Sequence, residues 1–184
     1  RIVKNKASGY SVLDGTIKTD ISLFDAVGDG GVNTTVEDLT KWDRNFYCNI
    51  LGGGPALINK VTEPGRLDDG RQLEYAWGLF VAQYRGAKLI AHGGAWVGYR
   101  AELLRFPEKK FSVICLANFS QAKATYMAKQ VADVCLVGQL SGSNITTLSQ
   151  HGSSHNAVGG AVGIPAGFYL SDVGGDFVEI SRQD

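Results

Sequence analysis

The residues best placed to do chemistry are His92, Gly93, Gly94 and Ala95, which follow the apolar run Leu89-Ile90-Ala91. A histidine followed by residues without side chains has open space beside its ring and lets a substrate come close to the backbone. Imidazole titrates near neutrality, so His92 suits proton transfer or hydrogen-bond donation. If the strand edge at Gly94 and Ala95 faces a cleft, the Ala95 N–H supplies half of an oxyanion hole. The same residues also fit an ordinary hairpin end, and spacing alone does not separate the two readings.

Two other strings place a hydroxyl three residues from a lysine and two from an asparagine, Ser120-Gln121-Ala122-Lys123 and Tyr47-Cys48-Asn49. Ser120 follows a strand and precedes a helix, so it reads as an N-cap, with Lys123 turned to solvent from the first turn. Tyr47-Cys48-Asn49 falls at the end of an amphipathic helix, where Asn is a common terminator.

The chain of 184 residues is long enough for one domain with a sizeable core, and its 44% hydrophobic and 20% charged residues are those of a globular chain. Eighteen basic and 18 acidic residues cancel without long blocks of either sign. That removes the electrostatic footprint of a nucleic-acid or anionic-membrane binder and favours a neutral or small polar ligand. No apolar run reaches the length of a membrane span. Cys48, Cys115 and Cys135 are odd in number and lack zinc-ligand spacing, which argues against a full disulfide framework and a structural metal site. Cys115 and Cys135 read as core packing. No charged-then-apolar leader follows Arg1, so any secretion signal lies upstream or has been removed, and the compartment stays open.

The elements that must position these residues follow from periodicity. Residues 4–25 read as short strands or loop, with turns at Ser8-Gly9-Tyr10 and Asp14-Gly15. Thr34 and Glu37 have the spacing of a capping box, predicting a helix from Thr35 to about Cys48 with a buried stripe of Val36, Leu39, Trp42 and Phe46. A short helix over 56–61 follows the glycines before Pro55. Residues 75–84, 89–92, 98–106 and 111–119 are rich in β-branched and aromatic residues and predict an antiparallel meander. Residues 121–136 predict a helix lying on one sheet face, with a stripe of Ala124, Met127, Ala128, Val131, Val134 and Cys135. Residues 164–170 and 177–180 look like two more strands.

Several segments together resemble the serine β-lactamase and penicillin-binding-protein-like hydrolases, on their class C, D-aminopeptidase and esterase side. They are residues 28–42 (Gly-Asp-Gly-Gly-Val-Asn-Thr-Thr-Val-Glu-Asp-Leu-Thr-Lys-Trp), Tyr75-Ala-Trp-Gly-Leu-Phe80, His92-Gly-Gly-Ala-Trp-Val-Gly-Tyr-Arg100, and residues 111–118. Residues of roughly 5–137 follow that family's order. The resemblance implies that His92-Gly93-Gly94 stands where the family carries Lys-Thr-Gly or His-x-Gly. His92 would then be the cationic or hydrogen-bonding side chain, Ala95 would complete the oxyanion hole, and Trp96 would line the acyl pocket. Gly93 and Gly94 would border bound substrate, and no metal or organic cofactor would be needed. The family's Ser-x-x-Lys and Tyr-x-Asn precede the matched segments, and nothing before Gly28 offers either; both imitating strings fall in the wrong order.

The expected fold class is therefore α+β, an antiparallel β-sheet with flanking helices. It would comprise the later strands and closing helix of a β-lactamase or transpeptidase-like fold, incomplete, plus the start of a β-rich C-terminal element. The expected domains are 1–137, the C-terminal part of a β-lactamase-like hydrolase domain, then a Gly/Ser-rich linker over 138–163, and a C-terminal β element over 164–184. The expected function is an amide- or ester-cleaving serine hydrolase whose nucleophile is not on this chain, which alone would be inactive. The alternative is an inactive peptide-binding or regulatory module, and a self-contained enzyme using Ser120 and Lys123 is a third reading. An N-terminal segment of the same protein is the expected partner, with a small molecule or peptide as substrate, and the resemblance implies a periplasmic or envelope setting. An incomplete sheet leaves an exposed edge and an uncovered face. Gel filtration of residues 1–184 alone is accordingly expected not to show a compact, cooperatively unfolding monomer.

Overall fold

The computed structural model of the chain describes residues 3–22, 28, 30–142, 169–172 and 177–179. Its element order is β1 (Tyr10–Leu13), β2 (Thr16–Thr19), α1 (Val36–Cys48), α2 (Gly54–Val61), β3 (Phe80–Tyr84), β4 (Ala87–Trp96), β5 (Tyr99–Phe106), β6 (Phe111–Ala117), α3 (Ala124–Cys135), β7 (Tyr169–Asp172) and β8 (Phe177–Glu179). The class is α+β, with an antiparallel sheet in the order β3-β4-β5-β6-β7-β8, a separate β1-β2 hairpin, and three α-helices among the described residues. Of the expected linker, residues 143–163 lie outside the described residues. None of the described helices is long and apolar enough to cross a membrane.

Alternation along the strands divides the sheet into two faces. One carries Ala87, Leu89, Ala91, Leu104, Phe106, Val113 and Cys115, and α3 packs there through Ala124, Ala128 and Ala132. The small residues at every fourth position let the helix lie close to the sheet, so this is the main apolar core. The expected stripe on α3 holds for Ala124, Met127, Ala128 and Val131. It fails at Val134 and Cys135, which are exposed, because the buried line continues through Ala132 and Leu136 instead. The helix also starts three residues later than expected. Lys123 occupies the cap position without a side-chain bond, so Ser120 is not its N-cap; the Ser120 N–H instead donates to the Tyr10 carbonyl at 2.8 Å.

Helix α1 covers the opposite face. Thr35, not Thr34, caps it, accepting from the Asp38 N–H at 3.2 Å, so the capping pattern lies one residue further along than the sequence spacing implied. Its inward face keeps Val36 of the expected stripe, with Leu39 and Phe46 half-buried, but is rotated away from Trp42. Trp42 is 44% exposed, and the buried residues are Val36, Thr40, Asp43 and Asn45. The cause is an ion pair inside the protein. Asp43 Oδ1 accepts from Arg105 Nε at 2.6 Å and from the Ser112 hydroxyl at 2.9 Å, with both charged side chains 1% exposed. The Arg105 guanidinium also stacks 3.5 Å from the centroid of the Phe46 ring. Asn49 ends the helix in the left-handed region (φ 49°, ψ 44°), as its position predicts.

The β1-β2 hairpin turns at Asp14-Gly15, both with positive φ, and docks on the tip of the β4-β5 hairpin. The Tyr10 N–H donates to the Asn118 carbonyl at 2.9 Å, and the Gly98 N–H to the Asp20 carbonyl at 3.1 Å. A side chain at Gly98 would collide with the backbone of Gly9 and Tyr10.

Removing one partner of a buried pair leaves the other charge unpaired. In a protein that includes the expected N-terminal segment, Asp43→Ala should therefore cost about 3–5 kcal/mol in urea unfolding. A double change of Asp43→Leu with Arg105→Met should recover most of that loss. Glu63→Gln, at the exposed Lys60–Glu63 pair, should leave the unfolding midpoint unmoved.

Candidate active site

Strand β4 runs through His92-Gly93-Gly94 to Trp96, so the histidine is not at a strand end and the turn falls later, at Val97-Gly98. Pairing with β5 continues to the tip, where Trp96 faces Tyr99. On the other side, β3 stops at Phe80 opposite Ala91, and no strand among the described residues pairs with 92–96 there. Among the described residues, the stretch of β4 from His92 to Ala95 thus forms an open edge.

The two turns that bound β4 fix where its backbone groups point. Arg85 and Gly86, with φ of 48° and 78°, form a two-residue turn closed by Tyr84 and Ala87. In such hairpins the closing pair exchanges both hydrogen bonds, and bonded pairs then alternate. Ala87, Leu89 and Ala91 therefore turn their N–H and C=O groups toward β3. The Trp96–Tyr99 pair closes the other turn and assigns the even residues to β5. Both turns agree, so past Ala91 the backbone groups of Gly93 and Ala95 project from the open edge.

Side chains divide differently. His92 lies on the α1 side of the sheet, next to this edge, and is exposed. Its Nε2 is 3.2 Å from the Tyr75 hydroxyl, and its ring lies 6.0 Å from that of Phe80 and 6.1 Å from that of Tyr75. Trp96 shares the strand face of His92, with Gly94 between them. A Cβ at Gly94 would meet only the Ala101 methyl, at 3.5 Å, leaving a slot between imidazole and indole. Val97 at the turn has φ 41°, an uncommon conformation for a β-branched residue, beside this slot.

On the α3 side lies an open groove of about 790 Å³, lined by Ala91, Gly93, Ala95, Glu102, Thr125 and Lys129 among others. Of the sequence-predicted residues, Gly93, Gly94 and Ala95 border this groove, whereas His92 and Trp96 do not. Glu102, across from Gly93, explains the glycine: a Cβ there would sit 3.0 Å from the carboxylate Oε2. Glu102 is buried, accepts a short hydrogen bond from the Thr125 hydroxyl, and has its carboxyl pushed up by burial, with Thr125 and Lys129 opposing.

Neither imitating string joins His92. Ser120 is tied to Tyr10, as above, and Lys123 lines the α3-side groove. Tyr47 lies among Asp43 and Arg105, where burial pushes its phenol up to about 12, so it cannot serve as a base near neutrality. Sequence reasoning missed Tyr75 and Glu102. Tyr75 lay in a quoted segment without a role, and Glu102 becomes visible only once the β4-β5 register is known. Among the described residues, no group of three or more His, Cys, Asp or Glu side chains is arranged to hold a metal ion.

The chain is 28% identical to the D-aminopeptidase of Gluconobacter oxydans over 105 residues, which covers 57% of this chain and 20% of that protein. It is 27% identical to the D-aminopeptidase of Brucella ovis over 117 residues, covering 62% of this chain and 22% of that protein. It thus spans about a fifth of the length of the curated relatives it matches. No family profile matches the chain, and no solved structure matches it.

A buried carboxyl with a raised pKa holds its proton longer in the folded state than in the unfolded one. Stability from this group is full below pH 4.5, its ordinary pKa, and is lost as pH rises through the raised folded value. Glu102→Gln cannot ionise. Urea midpoints measured from about pH 4 to about pH 8, in a protein that includes the expected N-terminal segment, should therefore decline less with Glu102→Gln than without it.

Proposed function

We propose that this chain is the C-terminal portion of a penicillin-recognising-type serine hydrolase, which cleaves an amide or ester bond through an acyl-serine intermediate. In this reading the nucleophilic Ser-x-x-Lys lies on an N-terminal segment of the same protein. Residues 1–137 belong to the hydrolase domain, 138–163 to a linker and 164–184 to a C-terminal β element. The distant likeness to two D-aminopeptidases supports a peptide-like substrate. The single observation that carries the reading is the open edge of β4, with the Ala95 backbone projecting from it and the exposed His92 imidazole beside it.

The roles follow from what acyl transfer needs. Attack on a carbonyl builds negative charge on its oxygen, and a preorganised backbone N–H aimed at that charge stabilises the transition state. Ala95 supplies that donor, and its partner comes with the nucleophile. His92 donates a hydrogen bond to the substrate or carries a proton as the tetrahedral species collapses. Gly93 and Gly94 let the substrate backbone lie against the strand, and Trp96 borders the acyl group. No metal or organic cofactor enters these steps.

The test is covalent labelling with a fluorophosphonate or a fluorescent penicillin, applied to residues 1–184 and to the longer protein that carries them. The longer protein should label and the short chain should not. Ala95→Pro removes the N–H and should slow acylation by about 10²–10³-fold. His92→Ala should slow it by about 10²–10⁴-fold. Absence of labelling in the longer protein would remove the enzyme reading and leave an inactive peptide-binding module.

A further inference from the structure

We propose that Tyr75 is the positioning residue of His92, holding the imidazole by Nε2 and leaving Nδ1 as the nitrogen for the substrate. The contact is direct, with the Tyr75 hydroxyl 3.2 Å from Nε2 across 17 residues of chain. The segment that presents Tyr75 is clamped on both sides. The Tyr75 carbonyl accepts from the Gly65 N–H at 2.9 Å, and the Leu73 N–H donates to the Gly65 carbonyl at 2.8 Å. The Val81 N–H donates to the Glu74 carbonyl at 2.8 Å, and the Ala76 N–H to the Leu79 carbonyl at 2.8 Å. The phenol ring meets Phe80 edge-on at 4.8 Å, and Phe80 in turn flanks His92. Three rings thus close around the point where β3 leaves β4 and the open edge begins.

Burial does not account for the bond. Tyr75 is 39% exposed, so water could satisfy its hydroxyl, and a phenylalanine would fill the same ring position. What the hydroxyl adds is a contact that survives a change in protonation. It donates to a bare Nε2 and accepts from an Nε2–H, so the ring keeps its orientation in either state. Tyr75 touches no reacting atom in the proposed reaction and acts only through His92.

This inference rests on the catalytic reading for its meaning, and its first measurement is independent of that reading. Long-range proton–nitrogen correlation spectra report the hydrogen bonding as well as the protonation of each imidazole nitrogen. The sequence holds three histidines, and His92→Gln assigns the signal of interest. In the longer protein carrying Tyr75→Phe, the two His92 nitrogen shifts should move toward those of an unrestrained imidazole, with the other histidines unchanged and the thermal midpoint retained. Phe80→Leu loosens the rings but keeps the hydroxyl, and should leave the His92 nitrogen shifts close to where they were. Superimposable spectra for Tyr75→Phe overturn the proposal, as does the same change appearing in Phe80→Leu. In the longer protein, Tyr75→Phe should lower kcat by about tenfold with little change in KM, the size of one lost hydrogen bond. A change confined to KM would overturn the positioning role. Failure of the longer protein to label at all would strike the catalytic reading and leave the spectroscopic result standing.

Discussion

Inside the fold, the pair formed by Asp43 and Arg105 decides how α1 meets the sheet. A carboxylate and a guanidinium withdrawn from water are tolerable only when they face each other closely, so the helix must present Asp43 inward whatever its apolar residues would favour. The pair also reaches β6 through Ser112, which joins α1, β5 and β6 at one point. Its accommodation is incomplete among the described residues. Arg105 Nη1 and Nη2 and the Tyr47 hydroxyl are buried without a hydrogen-bond partner there. Such a junction adds little net stability, but it fixes rotation and register in a way that interchangeable apolar contacts do not.

The antiparallel meander was legible in the sequence because its signals are local. Runs of β-branched and aromatic residues, the Arg85-Gly86 turn and the Pro107 break each act within a few positions. The Asn49 helix end and the Asp14-Gly15 turn are local in the same sense. The orientation of α1 was not legible. Val36, Leu39, Trp42 and Phe46 have helical spacing, and nothing nearby in sequence says that Asp43 will meet an arginine 62 residues later. The extent of β4 was hidden for a related reason. Two successive glycines look like a turn until β5 is laid beside them, when Glu102 takes the space that a side chain at Gly93 would have filled.

The site shows the same division. His92 and the diglycine stood out because imidazole and bare backbone are unusual neighbours. Their separation onto an edge and two faces required the pairing register. Among the described residues β3 ends before β4 does, and Trp96 and Trp77 remain exposed near the outer end of the ribbon or its flanking loop. Shape, more than composition, leaves this end of the sheet accessible.

The ribbon from Ala87 to Trp96 is held between two tight turns, and neither has slack. Inserting or deleting a single amino acid anywhere along it would exchange inside for outside. The imidazole would be driven into the alanine-lined interior beneath α3, and its apolar neighbours would be turned toward water. Drift in the length of this segment is therefore confined to steps of two, so that descendants of such a gene should keep the count between the turns even while the letters change.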